Sequence, residues 1–163
     1  MENFDWTSFT KKIAVKAKLS DIYNAWTTAN GLENWFLEKA SFFNTDEELN
    51  KNQNAADGNT YKWFWYLYDE PMLGKITSVN GKDHLQFTFE GSCLVDVKLK
   101  ETSDYTILEL RQHDIPTDDY SKENFRLACS NGWHFYLTNL KSVYEGGLDL
   151  RNKDSELDRM LNN

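Results

Sequence analysis

The longest amphipathic pattern in the chain runs from residue 121 to residue 148 and predicts one long helix. Its apolar residues recur at steps of three and four, which places them on a single helix face: Phe125, Cys129, Trp133, Tyr136, Leu140 and Val143. Asp119 or Ser121 is suited to cap the start, and Gly146-Gly147 is suited to end the helix. A helix of about 28 residues is roughly 42 Å long and needs an apolar partner along most of its length. We therefore expect it to pack against a sheet, and Ser130-Asn131-Gly132 marks where it kinks or begins.

Patterns with a period of two predict strands before this helix. Residues 9–18 alternate apolar side chains with lysines, which indicates a half-buried strand. Two short helices follow, for which Ser20 and Thr28 are the expected caps. Residues 44–58 are rich in Asn, Asp and Glu without periodicity and predict a loop. Further alternating runs separated by turn residues predict an antiparallel meander with strands at 61–67, 73–79, 85–90, 93–100 and 105–113.

This order of elements predicts an α+β domain of the helix-grip type. In such a fold a curved antiparallel sheet wraps around a long C-terminal helix, and here two short helices follow the first strand. A chain of 163 residues is expected to form a single domain with a sizeable core and no need of a disulfide or a metal. We place that domain at residues 1–150. Residues 151–163 are expected to form a charged tail that frays, with one helical turn at 156–161.

The net charge of the chain indicates which classes of binding partner are unfavourable. The net charge is −8, with 26 acidic and 18 basic residues, which disfavours nucleic acid and anionic membranes. Residues 1–5 lack the basic and apolar regions of a signal peptide, and the chain has no apolar run long enough for a membrane span. We therefore expect a cytoplasmic protein with no membrane insertion.

The residues that usually carry chemistry do not form a recognisable constellation. No pair of the three histidines has a metal-ligand spacing: His84, His113 and His134. No phosphate-binding loop or nucleophile motif is present, so we expect no metal, no cofactor and no catalytic residue. Cys93 and Cys129 are expected to be reduced core thiols, with a disulfide between sheet and helix as the alternative.

The aromatic residues are the more informative part of the composition. Phe, Tyr and Trp make up 15% of the chain, more rings than a core of this size needs. Rings and apolar side chains on the inferred inner faces of sheet and helix could surround an apolar ligand: Trp63, Trp65, Phe87, Phe89, Trp133, Tyr136 and Leu140. They could equally fill a solid core. His113 and Trp35 are placed at the cavity rim, His113 as a hydrogen-bonded histidine and Trp35 as a packing anchor or a gate.

Four segments of the chain resemble a known superfamily: Asp21–Trp26, Leu32–Phe36, Gly58–Trp63 and Asn131–Lys141. They are similar to the START-like (SRPBCC, helix-grip) superfamily. Within it they resemble the branch related to the C-terminal domain of the activator of the ninety-kilodalton heat-shock protein ATPase. The resemblance extends from about residue 9 to residue 150. It implies the helix-grip fold and a central apolar cavity, which tips the choice between cavity and solid core toward a cavity. It does not imply one activity.

Three functions remain open from the sequence. The first is a non-catalytic binding domain for a small apolar or amphipathic ligand, held between the sheet and the C-terminal helix. The second, implied by the resemblance, is a co-chaperone that binds the ninety-kilodalton heat-shock chaperone and stimulates its ATPase. Against it, the chain has no room for that activator's additional N-terminal domain. The third is an enzyme of cyclase or hydrolase type, for which the sequence offers no acid, base or nucleophile set. The first is our expectation.

Overall fold

Eight antiparallel strands form one curved sheet, in the order β1-β8-β7-β6-β5-β4-β2-β3. The computed structural model describes residues 3–157 and 159–163. The strands are β1 Phe9–Val15, β2 Lys39–Asn44, β3 Glu47–Glu48, β4 Thr60–Phe64, β5 Met72–Val79, β6 His84–Thr88, β7 Leu94–Glu101 and β8 Thr106–His113. The helices are α1 Leu19–Thr27, α2 Ala29–Trp35, α3 Asp119–Ser121, a π-helix at Lys122–Ala128, and α4 Cys129–Tyr144. This is the α+β helix-grip arrangement, so the predicted fold class is confirmed.

The alternation read from the sequence matches the two faces of the sheet. Val95 and Val97 of β7 are fully buried, and in the antiparallel register Val97 lies opposite Leu110 of β8. Asp96 lies between the two valines and points to the other face, because successive side chains alternate along a strand. The concave, apolar face is thus formed by the residues that the parity predicted, and it receives the C-terminal helix.

The predicted long helix is present, with two differences. It runs from Asp119 to Tyr144 and ends four residues earlier than expected, with Gly146 in the left-handed conformation at φ +81°. At Ser130-Asn131-Gly132 there is no kink, but the regular α-helix does begin there within one residue, since α4 starts at Cys129. The irregular part comes earlier and is the seven-residue π-helix. A periodicity of three and four cannot distinguish a π-helix from an α-helix over so short a stretch.

The two short helices cover one end of the sheet. Thr28 caps α2 as predicted, since its Oγ1 accepts a hydrogen bond from the Gly31 N–H at 2.9 Å. The expected cap at Ser20 is wrong: α1 already begins at Leu19, so Ser20 lies inside its first turn. The Trp35 indole N–H donates to the carbonyl of Ala25 at 3.0 Å and joins the two helices.

The segment after α4 packs back on the domain, where we expected a frayed tail. The Arg151 side chain is only 3% exposed, and its guanidinium donates to the carbonyls of Leu37 and Glu33 at 2.8 and 3.0 Å. It also forms an ion pair with Asp149 at 2.8 Å. Burial raises the pKa of the Asp149 carboxyl, but hydrogen bonds from Arg151 and Lys153 outweigh this effect and hold that pKa well below its ordinary value. The expected helical turn at 156–161 includes residue 158, which lies outside the described residues.

Arg151 and Lys153 both pair with Asp149, so substituting each in turn tests how far the buried guanidinium stabilises the segment after α4. Arg151→Met removes the buried cation of the Asp149 pair and leaves the carbonyls of Leu37 and Glu33 without their donor, so we expect the free energy of unfolding to fall by about 3–5 kcal/mol. Lys153→Met removes the 46% exposed cation that pairs with the same Asp149, and we expect a change below about 1 kcal/mol. Urea denaturation followed by tryptophan fluorescence measures both. Equal losses in the two variants would contradict the role given to the buried guanidinium.

Candidate functional site

A cavity of about 710 Å³, partly open to solvent, lies beside the closed core. Its lining comes from five places in the chain: the end of α2, the segment from residue 65 to residue 72, the turn after β6, the helical region from Tyr120 to Tyr136, and residues 160–163. Residues that are far apart in sequence therefore share one site. The sheet and α4 form its inner wall, and the end of the chain forms part of its mouth.

Aromatic residues are the largest group in the lining, eight of its nineteen described residues. The rings in the wall are Phe36, Trp65, Tyr68, Phe89, Tyr120, Phe125, Trp133 and Tyr136. Trp133 stacks on Phe36 with ring centroids 5.1 Å apart and meets Phe89 at 4.9 Å. Phe36 in turn contacts Trp65 edge-on at 5.3 Å. Because most of these rings contact another ring, the wall is largely preformed, and its faces and edges suit an apolar ligand.

A buried amide fixes the position of Trp133. The side chain of Gln112 is fully buried on β8, and its Oε1 accepts a hydrogen bond from the Trp133 indole N–H at 3.0 Å. The Gln112 Nε2 donates to the carbonyl of Phe125 at 3.2 Å. One side chain of the sheet thereby holds both α4 and the π-helix. Gln112 does not touch the cavity itself, so it acts as a positioning residue.

The π-helix supplies another part of the wall. Asn124, Phe125 and Ala128 line the cavity from this segment, and Cys129 follows it. The Cys129 thiol donates to the carbonyl of Asn124 at 3.3 Å, five residues earlier. Burial raises the pKa of the Cys129 thiol to about 12, although contact with Gln112 acts in the opposite direction. Departures from the α-helix of this kind occur frequently at functional sites.

Only a few polar groups face the cavity. Glu90 follows β6 in a turn with φ +54°, and burial raises the pKa of its carboxyl. Burial also raises the pKa of the Tyr136 hydroxyl, which donates to the carbonyl of Asn163 at 3.1 Å. Glu70 contributes a second carboxylate and is exposed. The site is therefore apolar in its walls and acidic in its few charged groups.

The structure divides the residues singled out in the sequence into two groups. Four of them line the cavity together: Trp65, Phe89, Trp133 and Tyr136. Trp63, Phe87 and Leu140 are 0–1% exposed and belong to the closed core next to it. Trp35 is also fully buried, between α1 and α2, and does not reach the cavity rim. The helix stripe already contained Phe125 and Cys129, and the second predicted short helix already contained Phe36, whereas no sequence pattern pointed to Glu90 or residues 160–163.

His113 lies on the opposite face of the sheet, away from the cavity. Its Nε2 is 2.7 Å from Oδ2 of Asp96, whose Oδ1 is 2.8 Å from Nε2 of His84. Burial raises the pKa of the Asp96 carboxyl, but hydrogen bonds from His84, Gln86 and His113 outweigh it and lower that pKa. The physical reason is strand alternation: the neighbouring residue, Gln112, points inward, so His113 must point outward. His113 is hydrogen-bonded, but not at the rim.

The described part of the chain offers neither a metal site nor a membrane span. Within residues 3–157 and 159–163, no group of three His, Cys, Asp or Glu side chains is arranged to hold a metal ion. No helix of those residues has both the length and the apolar character that crossing a bilayer requires.

Comparison with known sequences gives one family. The sequence model of the family described as Activator of Hsp90 ATPase homolog 1-like protein matches residues 16–145, most of the chain. A search of curated proteins gives no match.

Solved structures share the fold at low sequence identity. The solution structure of the Aha1 dimer from Colwellia psychrerythraea has a TM-score of 0.65 at 19% identity and covers 86% of this chain and 97% of its own. The crystal structure of the protein SSP2350 from Staphylococcus saprophyticus has a TM-score of 0.71 at 19% identity, covering 88% and 96%. The protein NE0264 from Nitrosomonas europaea has a TM-score of 0.68 at 14% identity, covering 88% and 97%. At these identities the likeness shows the fold alone.

The raised pKa of the cavity thiol predicts its reactivity. In a Cys93→Ala background, Cys129 is the single thiol, and at pH 8 about one molecule in ten thousand carries a thiolate there if the pKa is about 12. We expect 5,5′-dithiobis(2-nitrobenzoic acid) to modify it at least about a hundredfold more slowly in the native protein than in urea. Equal rates in the two conditions would show that the thiol is neither buried nor perturbed.

Proposed function

We propose that this chain, which belongs to the Activator of Hsp90 ATPase homolog 1-like protein family, is a non-catalytic binding domain for a small apolar or amphipathic ligand. The ligand is held in the cavity between the sheet and the C-terminal helical region. Family membership fits a ligand-binding domain without naming a ligand. The argument for binding therefore rests on the cavity of this chain.

The size and lining of the cavity carry the proposal. A volume of about 710 Å³ falls within the range of roughly 300–1,000 Å³ that is usual for sites of drug-sized ligands. Its walls are rings held against one another, with polar tips such as the Tyr136 hydroxyl and the Glu90 carboxyl at a few points. A preformed apolar wall with few polar groups is the usual construction of a small-molecule site.

The chemistry of the lining supports binding without catalysis. None of the lining residues that the structure describes is a histidine or a lysine, and its thiol has a pKa of about 12. Such a thiol stays protonated near neutral pH and is a poor nucleophile. The histidine pair on Asp96 lies on the other face of the sheet and cannot act on a ligand in the cavity.

The family's description favours a second candidate function, the binding and stimulation of the ninety-kilodalton heat-shock chaperone. This role would use an outer surface instead of the cavity. A stable protein interface typically buries about 800 Å² on each partner. The cavity, in contrast, has the dimensions of a small-molecule site, so we rank this function second.

An ATPase assay separates the two candidates. We expect the purified protein, at saturating concentration, to leave the ATP turnover of the host's own ninety-kilodalton chaperone unchanged, because the function that we propose uses the cavity and not an outer surface of the size that a stable protein interface buries. Calorimetric titration of the same pair should show no binding. A saturable rise in turnover would establish the second candidate.

Filling the cavity tests the first candidate. Gly132 lies in the wall of α4, and a Cβ added there meets no atom within 4 Å, so Gly132→Leu should be accommodated in the empty space. We expect the Kd for the uncharged probe N-phenyl-1-naphthylamine to rise at least about tenfold, equivalent to about 1.4 kcal/mol of lost binding. Stability should be kept or raised by up to about 1 kcal/mol, because leucine favours a helix more than glycine does.

Two matched variants control this experiment. Gly132→Ala gives a similar gain in helix stability while leaving most of the cavity open, so it should bind the probe nearly as well as the native protein. Asn131→Leu adds the same side chain at the neighbouring exposed position, outside the lining, and should not weaken binding. If Gly132→Leu binds the probe as tightly as these controls, the cavity is not the binding site.

A further inference from the structure

We infer that the ligand of this cavity is an organic cation: an apolar amine or quaternary ammonium compound whose charged head lies between the Glu90 carboxylate and the faces of the surrounding rings. This rests on the proposed function, because it names the chemical class of ligand for the same site. Four observations support it: the charges of the lining, the state of Glu90, the absence of a protein cation over the described rings of the wall, and the net charge of the chain.

The charged groups of the lining are all of one sign. Glu70 and Glu90 are acidic, and none of the lining residues that the structure describes is a lysine, arginine or histidine. The carboxylate or phosphate head of an anionic lipid would find no cationic partner there and would face two negative charges. A cation, in contrast, would be attracted to both. The lining therefore selects by charge as well as by apolar surface.

Glu90 is held at the cavity without a partner of its own. No hydrogen bond or ion pair joins its carboxyl to another side chain in residues 3–157 and 159–163, and burial alone accounts for its raised pKa. A carboxylate that is partly removed from water without a partner is destabilised, and a bound cation would relieve this. The negative charge of Glu90 also contributes to the raised pKa of the Cys129 and Tyr61 side chains nearby.

The backbone keeps this carboxylate in place. Glu90 has φ +54°, an unusual value for a residue with a side chain, and the turn is closed by hydrogen bonds from Phe89 N–H to the carbonyl of Cys93 at 2.9 Å and from Cys93 N–H to the carbonyl of Glu90 at 3.3 Å. Strained backbone of this kind is concentrated at ligand sites, where the surrounding structure enforces it. The ring of Phe89 comes directly before the carboxylate, so both line the cavity from one short turn.

The rings of the wall carry no cation of the protein in the described residues, and Trp65 among them is only partly buried, so part of its surface can meet a ligand. A cation within about 6 Å of a ring centroid is attracted to the ring face, most strongly to that of tryptophan. In the described part of the chain, every cation–π pair involves a ring outside the cavity, as Lys62 with Phe64 and Lys153 with Tyr66 illustrate. Trp65 and Trp133 in the wall thus have no cation of the protein over them. The net charge of −8 further favours the approach of a cation over that of an anion.

Three ligands of matched shape test the inference. We use 2-(2-naphthyl)ethylamine, 2-(2-naphthyl)ethanol and 2-naphthylacetate, which carry a cationic, a neutral and an anionic head at pH 7. Calorimetry should give a Kd for the amine at least about tenfold lower than for the alcohol, with the carboxylate weakest, because only the amine pairs with Glu90. The trimethylammonium analogue, which has no N–H donor, should retain most of the gain if the ring faces contribute.

Glu90→Gln identifies the carboxylate responsible. This variant keeps the shape and removes the charge, so the amine should lose at least about tenfold in affinity and fall to the level of the alcohol, whose own Kd should change less than about threefold. Glu101→Gln makes the same charge change at an exposed position at the end of β7, outside the lining, and should leave all three Kd values unchanged. Urea denaturation verifies that each variant is folded.

The outcomes separate this inference from the proposed function. If the alcohol binds and the amine binds no more tightly, or if the carboxylate binds best, the inference is overturned while ligand binding stands. The same holds if Glu90→Gln leaves the preference for the amine intact. If neither the naphthyl compounds nor N-phenyl-1-naphthylamine bind the native protein, the proposed function fails and the inference fails with it. The Kd values of the amine, the alcohol and the carboxylate on the native protein are enough to test the inference. It can therefore be overturned even if the Glu90→Gln variant does not fold.

Discussion

The hydrogen bond between the Trp133 indole and the Gln112 amide is the contact on which the arrangement of this domain depends. Gln112 is fully buried, so its amide needs partners inside the protein, and it finds them in Trp133 and in the carbonyl of Phe125. A helix shifted by one residue would leave this amide unpaired, at a cost of about 1–3 kcal/mol. The pairing therefore fixes the register of the helix on the sheet. It also fixes the Trp133 ring, which forms the boundary between core and cavity.

The rings on one side of Trp133 pack into a closed core, whereas those on the other side leave a cavity between them. Phe87 and Trp26 pack against the core side at 6.4 and 5.8 Å, and both are 0–1% exposed. On the other side, Phe36 and Phe89 meet Trp133 while still lining the cavity. One aromatic cluster thus serves as both core and wall. The wall is rigid because it is the surface of a packed core, and that rigidity would limit the entropy lost on binding the proposed ligand.

Periodicity in the sequence predicted the regular strands and helices of this structure. It did not predict the irregular segments between them. The strand faces and the helix stripe followed from steps of two, three and four, because those steps define which side chains share a face. They could not separate Trp63 from Trp65: the two share a parity, but β4 ends at Phe64, so Trp65 leaves the sheet and reaches the cavity. The π-helix and the contact of residue 163 with Tyr136 have no periodic signature. His113 was misplaced by one position, since Gln112 is the residue that points inward.

The features that would distinguish ligands lie outside the regular elements. Glu90 is in a turn, Asn124 and Phe125 are in the π-helix, and Met160 is near the end of the chain, whereas the core that holds the wall in place is built from strands and α4. The fold is shared with structures of 14–19% identity, so the fold alone cannot specify a ligand. A substitution at Glu90 changes the charge that a ligand meets without touching the bond between Gln112 and Trp133. The same scaffold can accordingly present an acidic, neutral or basic cavity, and in this chain the turn after β6 makes it acidic.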